Sequence, residues 1–255
     1  MEIINIIILG IVQGVTEFLP ISSSAHTVIF EKILNNPIDL PTEMVLNLGS
    51  LVAMILLYKE FALEKYDKKT LIKISLAILP TLVFAFIFKN QLEAKNFSML
   101  LVAIFTLSGT VVMFAAEYLQ NQISKIAKSE FSNIRFLGVG VFQSLSLLRG
   151  FSRSGTTISG GMLLGLSKSD AVKTYLQVGI PVLAISCLYG LFGLYKKSGV
   201  ENINYMTLTI GFIVSFVFSY FSIQFILRYI PKNSFKIFII YRIILALALI
   251  IWYFH

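Results

Sequence analysis

The sequence predicts an all-α polytopic membrane protein with an inverted-topology repeat, each half a re-entrant helical hairpin followed by three transmembrane helices. Three observations lead there. Hydrophobic residues fill 56% of the 255 positions and charged residues only 13%, about half the charged share of an ordinary soluble domain. Apolar runs long enough to cross a bilayer recur along the whole length and leave no segment for a sizeable soluble domain. The chain also resembles itself at a constant offset of 130 positions, as membrane proteins built from duplicated halves do.

The first element, about 3–34, is a short hydrophobic stretch broken by Gln13, Glu17, Pro20 and the run Ser22, Ser23, Ser24. Such polar centres cannot face lipid, so a re-entrant hairpin buried in protein is expected. Full spans follow at 43–58, 71–88 and 98–118. A second broken element, about 134–166, carries Arg149, Ser152, Arg153, Ser154 and several glycines, and it precedes spans at 174–195, 205–227 and 235–254. Residues 10–27 (GIVQGVTEFLPISSSAHT) lie over 140–157 (GVFQSLSLLRGFSRSGTT), pairing Gln13 with Gln143, Ser22 with Ser152, Ser24 with Ser154 and Thr27 with Thr157. The same offset pairs Asn47 and Gly49 with Gln177 and Gly179. Residues 1–255 therefore read as a single membrane domain, with repeat 1 about 3–118 and repeat 2 about 134–254. Three crossings between the hairpins invert the second copy, so the hairpins enter from opposite sides and meet near the midplane.

Charge distribution supplies a separate topology signal. Thirteen basic residues, among them Lys65, Lys68, Lys69, Lys128 and Arg228, fall in connectors assigned to the cytoplasm. The other side receives Lys32, Lys89, Lys95, Lys196 and Lys197. Both termini are then expected outside. The net charge of +8 comes from these scattered connectors and forms no basic face, so no nucleic-acid partner is expected. Cys187 is the sole cysteine, which excludes an intramolecular disulfide and a cysteine metal cluster. The apolar N-terminus reads as mature structure, not a signal peptide, because Glu2 replaces a basic start and Gln13 and Glu17 interrupt it.

Chemistry concentrates in the two broken elements. Gln13 and Glu17 are spaced i, i+4 and share one helical face just before Pro20 ends the helix. An ionisable residue inside a membrane is a functional candidate by default; the alternative is a structural cap or ion pair. In the second element, Arg153 stands between two serines and before Gly155, Thr156 and Thr157, where a new helix can begin. Small residues, successive N–H groups, a helix start and a guanidinium fork together make a phosphate cradle. A structural pair of Arg153 with Glu17 would use the same geometry. His26 gains interest from its place in the serine run, whereas Arg242 in the last span is expected to snorkel or pair internally, with substrate contact as the lesser alternative.

These residues resemble the bacitracin-resistance type of undecaprenyl-pyrophosphate phosphatase, a family marked by an (E/Q)xxxE segment followed by FLPxSSxxH and by PGxSRSxxT. Gln13, Glu17, Ser23 and His26 fall on the first motif, and Gly150, Ser152, Arg153, Ser154 and Thr157 on the second. The resemblance covers nearly the whole chain. It implies a multi-pass enzyme of the bacterial cytoplasmic membrane, its active site opening to the outer face. Such an enzyme removes the terminal phosphate of undecaprenyl pyrophosphate, which recycles the carrier for peptidoglycan synthesis and confers bacitracin resistance. It further implies a divalent metal, Mg2+ or Ca2+; Glu17, helped by Gln13, either holds that metal or acts as the base. Glu17, Ser23, His26 and Arg153 are then the catalytic set, and Gly150, Ser152, Arg153, Ser154 and Thr157 the phosphate-binding set. Either Ser23 or a water is the nucleophile, and His26 is a proton carrier or phosphate ligand. A homodimer is left open.

Two positions depart from the family pattern: Arg149 replaces a proline, and Ala25 stands where glycine is common. Arg149 either loosens the turn or strengthens pyrophosphate binding. The competing function, a carrier or flippase of a lipid phosphate, uses the same anion site, since inverted repeats with broken helices are a transporter design.

Overall fold

The computed structural model describes residues 3–34, 38–61, 67–93, 98–126, 131–196 and 204–255. Lys65, Lys95, Lys128 and Lys197, used above to orient the chain, lie outside these residues. Every regular element described is helical. The first half runs α1 (Ile3–Phe18), α2 (Ser23–Ile33), α3 (Leu40–Phe61), α4 (Lys68–Ile87), the one-turn α5 (Lys89–Glu93) and α6 (Met99–Ile126). The second runs α7 (Asn133–Ser144), a 3-10 turn (Leu145–Leu147), α8 (Arg153–Leu163), α9 (Lys168–Lys196), α10 (Tyr205–Tyr229) and α11 (Lys236–Phe254).

Six helices, α3, α4, α6, α9, α10 and α11, are long and apolar enough to cross a bilayer, and they fall on the six expected spans. Their starts are fixed locally: the Asp67 carboxylate accepts from Thr70 N at 2.7 Å and the Asn204 side chain from Thr207 N at 3.1 Å, capping otherwise unpaired donors of α4 and α10. The side chains of α4 and α11 are largely turned outward, with Leu79, Val83, Phe86, Ile244, Leu247 and Ile251 exposed, as lipid-facing helices require.

The remaining long elements are too short to span. At about 1.5 Å per residue, the 16-residue α1 and the 12-residue α7 cover roughly 24 and 18 Å, less than the ~30 Å hydrocarbon core. Each turns back into a second short helix, giving the two broken elements. Both turns close through a non-glycine residue in the left-handed region, Ser22 at φ 74° and Ser152 at φ 70°. The likeness extends to their side chains. Ser22 Oγ accepts from Ala25 N and Ser152 Oγ from Gly155 N, while Ser22–Ser24 and Ser152–Ser154 hydroxyls each lie 3.2 Å apart.

Packing repeats the same relation. α1 lies along α10 and α7 along α4, while α3 meets α9 and α6 meets α11 across the halves. Exchanging the halves maps these contacts onto one another, in agreement with an internal two-fold. The equivalent glycines Gly10 and Gly140 enable the first two contacts. A Cβ on Gly10 would lie 2.9 Å from Val214 Cγ1, and one on Gly140 would collide with the Ala77 carbonyl. The main core, including Phe18, Met54, Met113, Ile158, Met162, Tyr175 and Ile223, lies behind the two hairpin turns and anchors both.

Candidate active site

The two turns touch. Ser154 Oγ donates to Leu19 O at 3.0 Å, and Gly150 N donates to Ser24 Oγ at 3.2 Å. Each bond joins one hairpin tip to the other, so residues about 130 positions apart share one locus. Gly150, at φ 116°, supplies the left-handed backbone that turns the second tip toward Ser24.

Beside this junction opens a polar cavity of about 160 Å³. Its lining includes Gln13 and Glu17 of α1, Ser23, Ser24 and Thr27 of α2, Asn47 of α3, and Arg149 and Arg153. Glu17 is the hub. Its Oε2 accepts from Ser23 Oγ at 2.6 Å and from Gln13 Nε2 at 3.2 Å, and its Oε1 lies 3.7 Å from Arg153 Nη1. Gln13 Nε2 also donates to Asn47 Oδ1 at 2.8 Å. An amide nitrogen has two hydrogens, so Asn47 and Glu17 fix which way the Gln13 amide points, and its carbonyl oxygen remains an acceptor. The order Asn47, Gln13, Glu17, Ser23 is one hydrogen-bonded chain ending on a hydroxyl.

This arrangement holds a serine hydroxyl on a carboxylate able to take its proton, the usual relation between a nucleophile and its base. Glu17 is 7% exposed, whereas the Arg153 side chain keeps 23%, so the guanidinium looks into the cavity while its partner stays sheltered. At 3.7 Å the pair is loose and monodentate, and it leaves Arg153 donors for a ligand. The structural pair of Arg153 with Glu17 therefore does not close the guanidinium off from an anion.

Other expected residues sit differently. Ser152, Ser154 and Thr157 are buried behind the cavity, not on its wall. Ser152 and Ser154 spend their hydroxyls on Gly155 N and Leu19 O, and Thr157 Oγ1 has no hydrogen-bond partner. The start of α2 faces the cavity through Ser23, Ser24 and Thr27, and α8 reaches it through its first residue, Arg153. His26 is turned away as well. Its Nδ1 lies 2.7 Å from Ser22 O and its Nε2 2.6 Å from the Tyr241 hydroxyl, against whose ring it stacks. A carbonyl only accepts, so Nδ1 carries the proton, and a neutral ring accepts from Tyr241 at Nε2. His26 therefore fastens the first tip to α11.

Sequence reasoning missed four polar groups on the wall, one of them Ser186 of α9. Asn47 had appeared only as part of the repeat, Glu43 lies one turn before it on α3, and Glu31 closes α2. Glu31 Oε1 accepts from Ile38 N at 3.1 Å. With Glu17 they set three carboxylates against the two guanidinium groups of Arg149 and Arg153, leaving the ionised wall with a single net negative charge.

Comparison with known proteins finds relatives along nearly the whole chain. Residues 6–248 match the family model described as bacitracin resistance protein BacA. An undecaprenyl-diphosphatase of Sulfurimonas denitrificans is 33% identical, over 99% of this chain and 100% of its own length. One of Persephonella marina is 33% identical, over 99% of both chains. One of Pelagibacter ubique reaches 35%, over 98% of this chain and 97% of its own.

Proposed function

The chain belongs to the bacitracin resistance protein family, and from that premise we propose that it hydrolyses undecaprenyl pyrophosphate to undecaprenyl phosphate and inorganic phosphate. The observation that carries the reading is Ser23 donating to Glu17 at 2.6 Å with Arg153 3.7 Å from the same carboxylate. The protein is a multi-pass membrane enzyme. In this reading it works in the bacterial cytoplasmic membrane with both termini and the cavity on the outer side, and it recycles the lipid carrier for peptidoglycan synthesis and confers bacitracin resistance.

The diphosphate enters the cavity while its isoprenoid tail stays among the spans. Arg153, with Arg149 beside it, binds the terminal phosphoryl oxygens, and the first turn of α2 at Ser23, Ser24 and Thr27 offers further donors. Glu17 accepts the Ser23 proton as Oγ forms a bond to the terminal phosphorus. The bond from that phosphorus to the bridging oxygen breaks, and undecaprenyl phosphate leaves with the electron pair. Glu17 passes its proton to the departing undecaprenyl phosphate. Water then attacks the phosphorus of the phospho-serine and gives a proton to Glu17, the bond from phosphorus to Ser23 Oγ breaks, and Oγ takes that proton back as inorganic phosphate leaves. Gln13, held by Asn47, keeps Glu17 aimed at Ser23. His26, Ser152, Ser154 and Gly150 hold the tips in place.

A divalent cation fits this wall. A diphosphate brings several negative charges into a lining that is itself net negative, so the two arginines do not neutralise it. The Glu17 carboxylate and the Gln13 carbonyl are hard oxygen ligands suited to Mg2+ or Ca2+, with substrate oxygens and water completing the set. Bound there, the ion would offset charge on the phosphates.

The test is phosphate release from purified protein given a long-chain isoprenyl pyrophosphate, with and without chelator, for the native chain and Glu17→Gln. Release by the native chain that Glu17→Gln abolishes is expected. Transport of the lipid without release would instead favour the carrier.

A further inference from the structure

Arg242, on α11, has no exposure at all, and it does not snorkel. Its guanidinium is spread over both hairpin tips and α6. Nε donates to Thr110 Oγ1 at 2.9 Å and Nη2 to Thr106 O at 2.7 Å, both on α6. Nη1 donates to Pro20 O at 3.5 Å, and Nη2 also reaches Gly150 O at 3.0 Å and Phe151 O at 3.3 Å. All these partners are neutral oxygens. Among the described residues no carboxylate pairs with it, and a buried charge so placed is costly, so its retention asks for a reason other than ion pairing.

The bonded carbonyls supply one. Pro20 O lies between Glu17 and Ser23, and Gly150 O and Phe151 O lie between Arg149 and Arg153. One rigid planar group thus sets the relative position of the two turns that carry all four groups. The turns need such support. Ser22, Ser152 and Gly150 all have positive φ, and sparsely populated backbone persists only where its surroundings over-determine it. Carbonyls in a water-poor membrane interior also need donors. The adjacent Tyr241 reinforces the first tip through His26 at 2.6 Å.

We propose that Arg242 is a positioning residue, a neutral-partner guanidinium clamp that fixes the spacing between the Glu17–Ser23 tip and the Arg149–Arg153 tip. The claim about spacing stands on the structure; its kinetic consequence rests on the hydrolase reading above. A lysine keeps the charge but has no planar fork to bridge two tips and α6. A methionine keeps much of the volume and removes the donors.

The experiment compares native protein with Arg242→Lys and Arg242→Met in detergent, reading kcat, KM, melting temperature and hydrogen exchange by peptide. Both variants are expected to lose roughly tenfold to a hundredfold in kcat, the scale of an ångström-level misplacement, with KM changing less. Peptides covering the two tips should exchange faster while those of α3 and α10 keep native protection. Methionine retaining kcat within about twofold of native, or exchange rising uniformly along the chain, overturns the proposal. If native protein releases no phosphate, the hydrolase reading fails and the exchange pattern alone decides the clamp.

Discussion

Ser23 Oγ and Glu17 Oε2 lie 2.6 Å apart across the turn at Pro20, a hydroxyl and a carboxylate presented by one hairpin to a guanidinium from the other. Removing the hydroxyl leaves water as the only nucleophile. Ser23→Ala should lose on the order of a thousandfold or more in kcat, as nucleophile deletions do. Acid-quenched native enzyme should yield phospho-Ser23. Near-native turnover in the variant together with an empty quench assigns the attack to water.

Arg153 lies 3.7 Å from the Glu17 carboxylate and keeps part of its surface open to the cavity. Arg153→Ala should cost about a hundredfold to a thousandfold in kcat, the usual loss of one transition-state oxyanion contact. Lysine should recover only part, because an ammonium cannot offer a planar fork. A full recovery by lysine would reduce the role of Arg153 to charge alone.

Asn47 touches neither the hydroxyl nor the guanidinium, yet it holds Gln13 at 2.8 Å. Asn47→Ala frees that amide to rotate and should lower kcat about tenfold, equivalent to one buried hydrogen bond of ~1.4 kcal/mol. Melting temperature should change little. A loss confined to KM would place Asn47 in binding instead of alignment.

Arg149 shares the wall with Arg153, which favours the binding alternative for this departure from the family pattern. Arg149→Pro, restoring the family residue, should raise KM for the lipid pyrophosphate severalfold and steepen the dependence on added Mg2+ or Ca2+, since the wall loses one of its two cations. Titrating metal at fixed substrate checks this. An unchanged metal dependence contradicts it.

The backbone scheme was legible in sequence because membranes restrict it. Apolar length gave all six spans, and the 130-residue offset located both turns and paired Ser22 with Ser152, which the structure shows to share a left-handed backbone. The meeting of Glu17 and Arg153 was legible too, since opposite charges set in two membrane-embedded hairpins invite each other. What the spacing could not tell was orientation. His26 follows the serines by a few residues, but its position on α2 points the ring at Tyr241, a residue 215 positions away. The serines around Arg153 carry a phosphate-cradle pattern, yet they are consumed by Gly155 N and Leu19 O in shaping the turn. Arg242 and Asn47 act through partners far along the chain, and no local motif encodes them.

The most direct measurement is an experimental structure of the protein with a non-hydrolysable isoprenyl methylene-bisphosphonate bound. The account predicts one terminal phosphoryl group bonded to the Arg153 guanidinium, with Ser23 Oγ at about 3 to 3.5 Å, the spacing of a group ready to attack. An analogue held by one tip alone, or seated away from the Glu17 cavity, would contradict it.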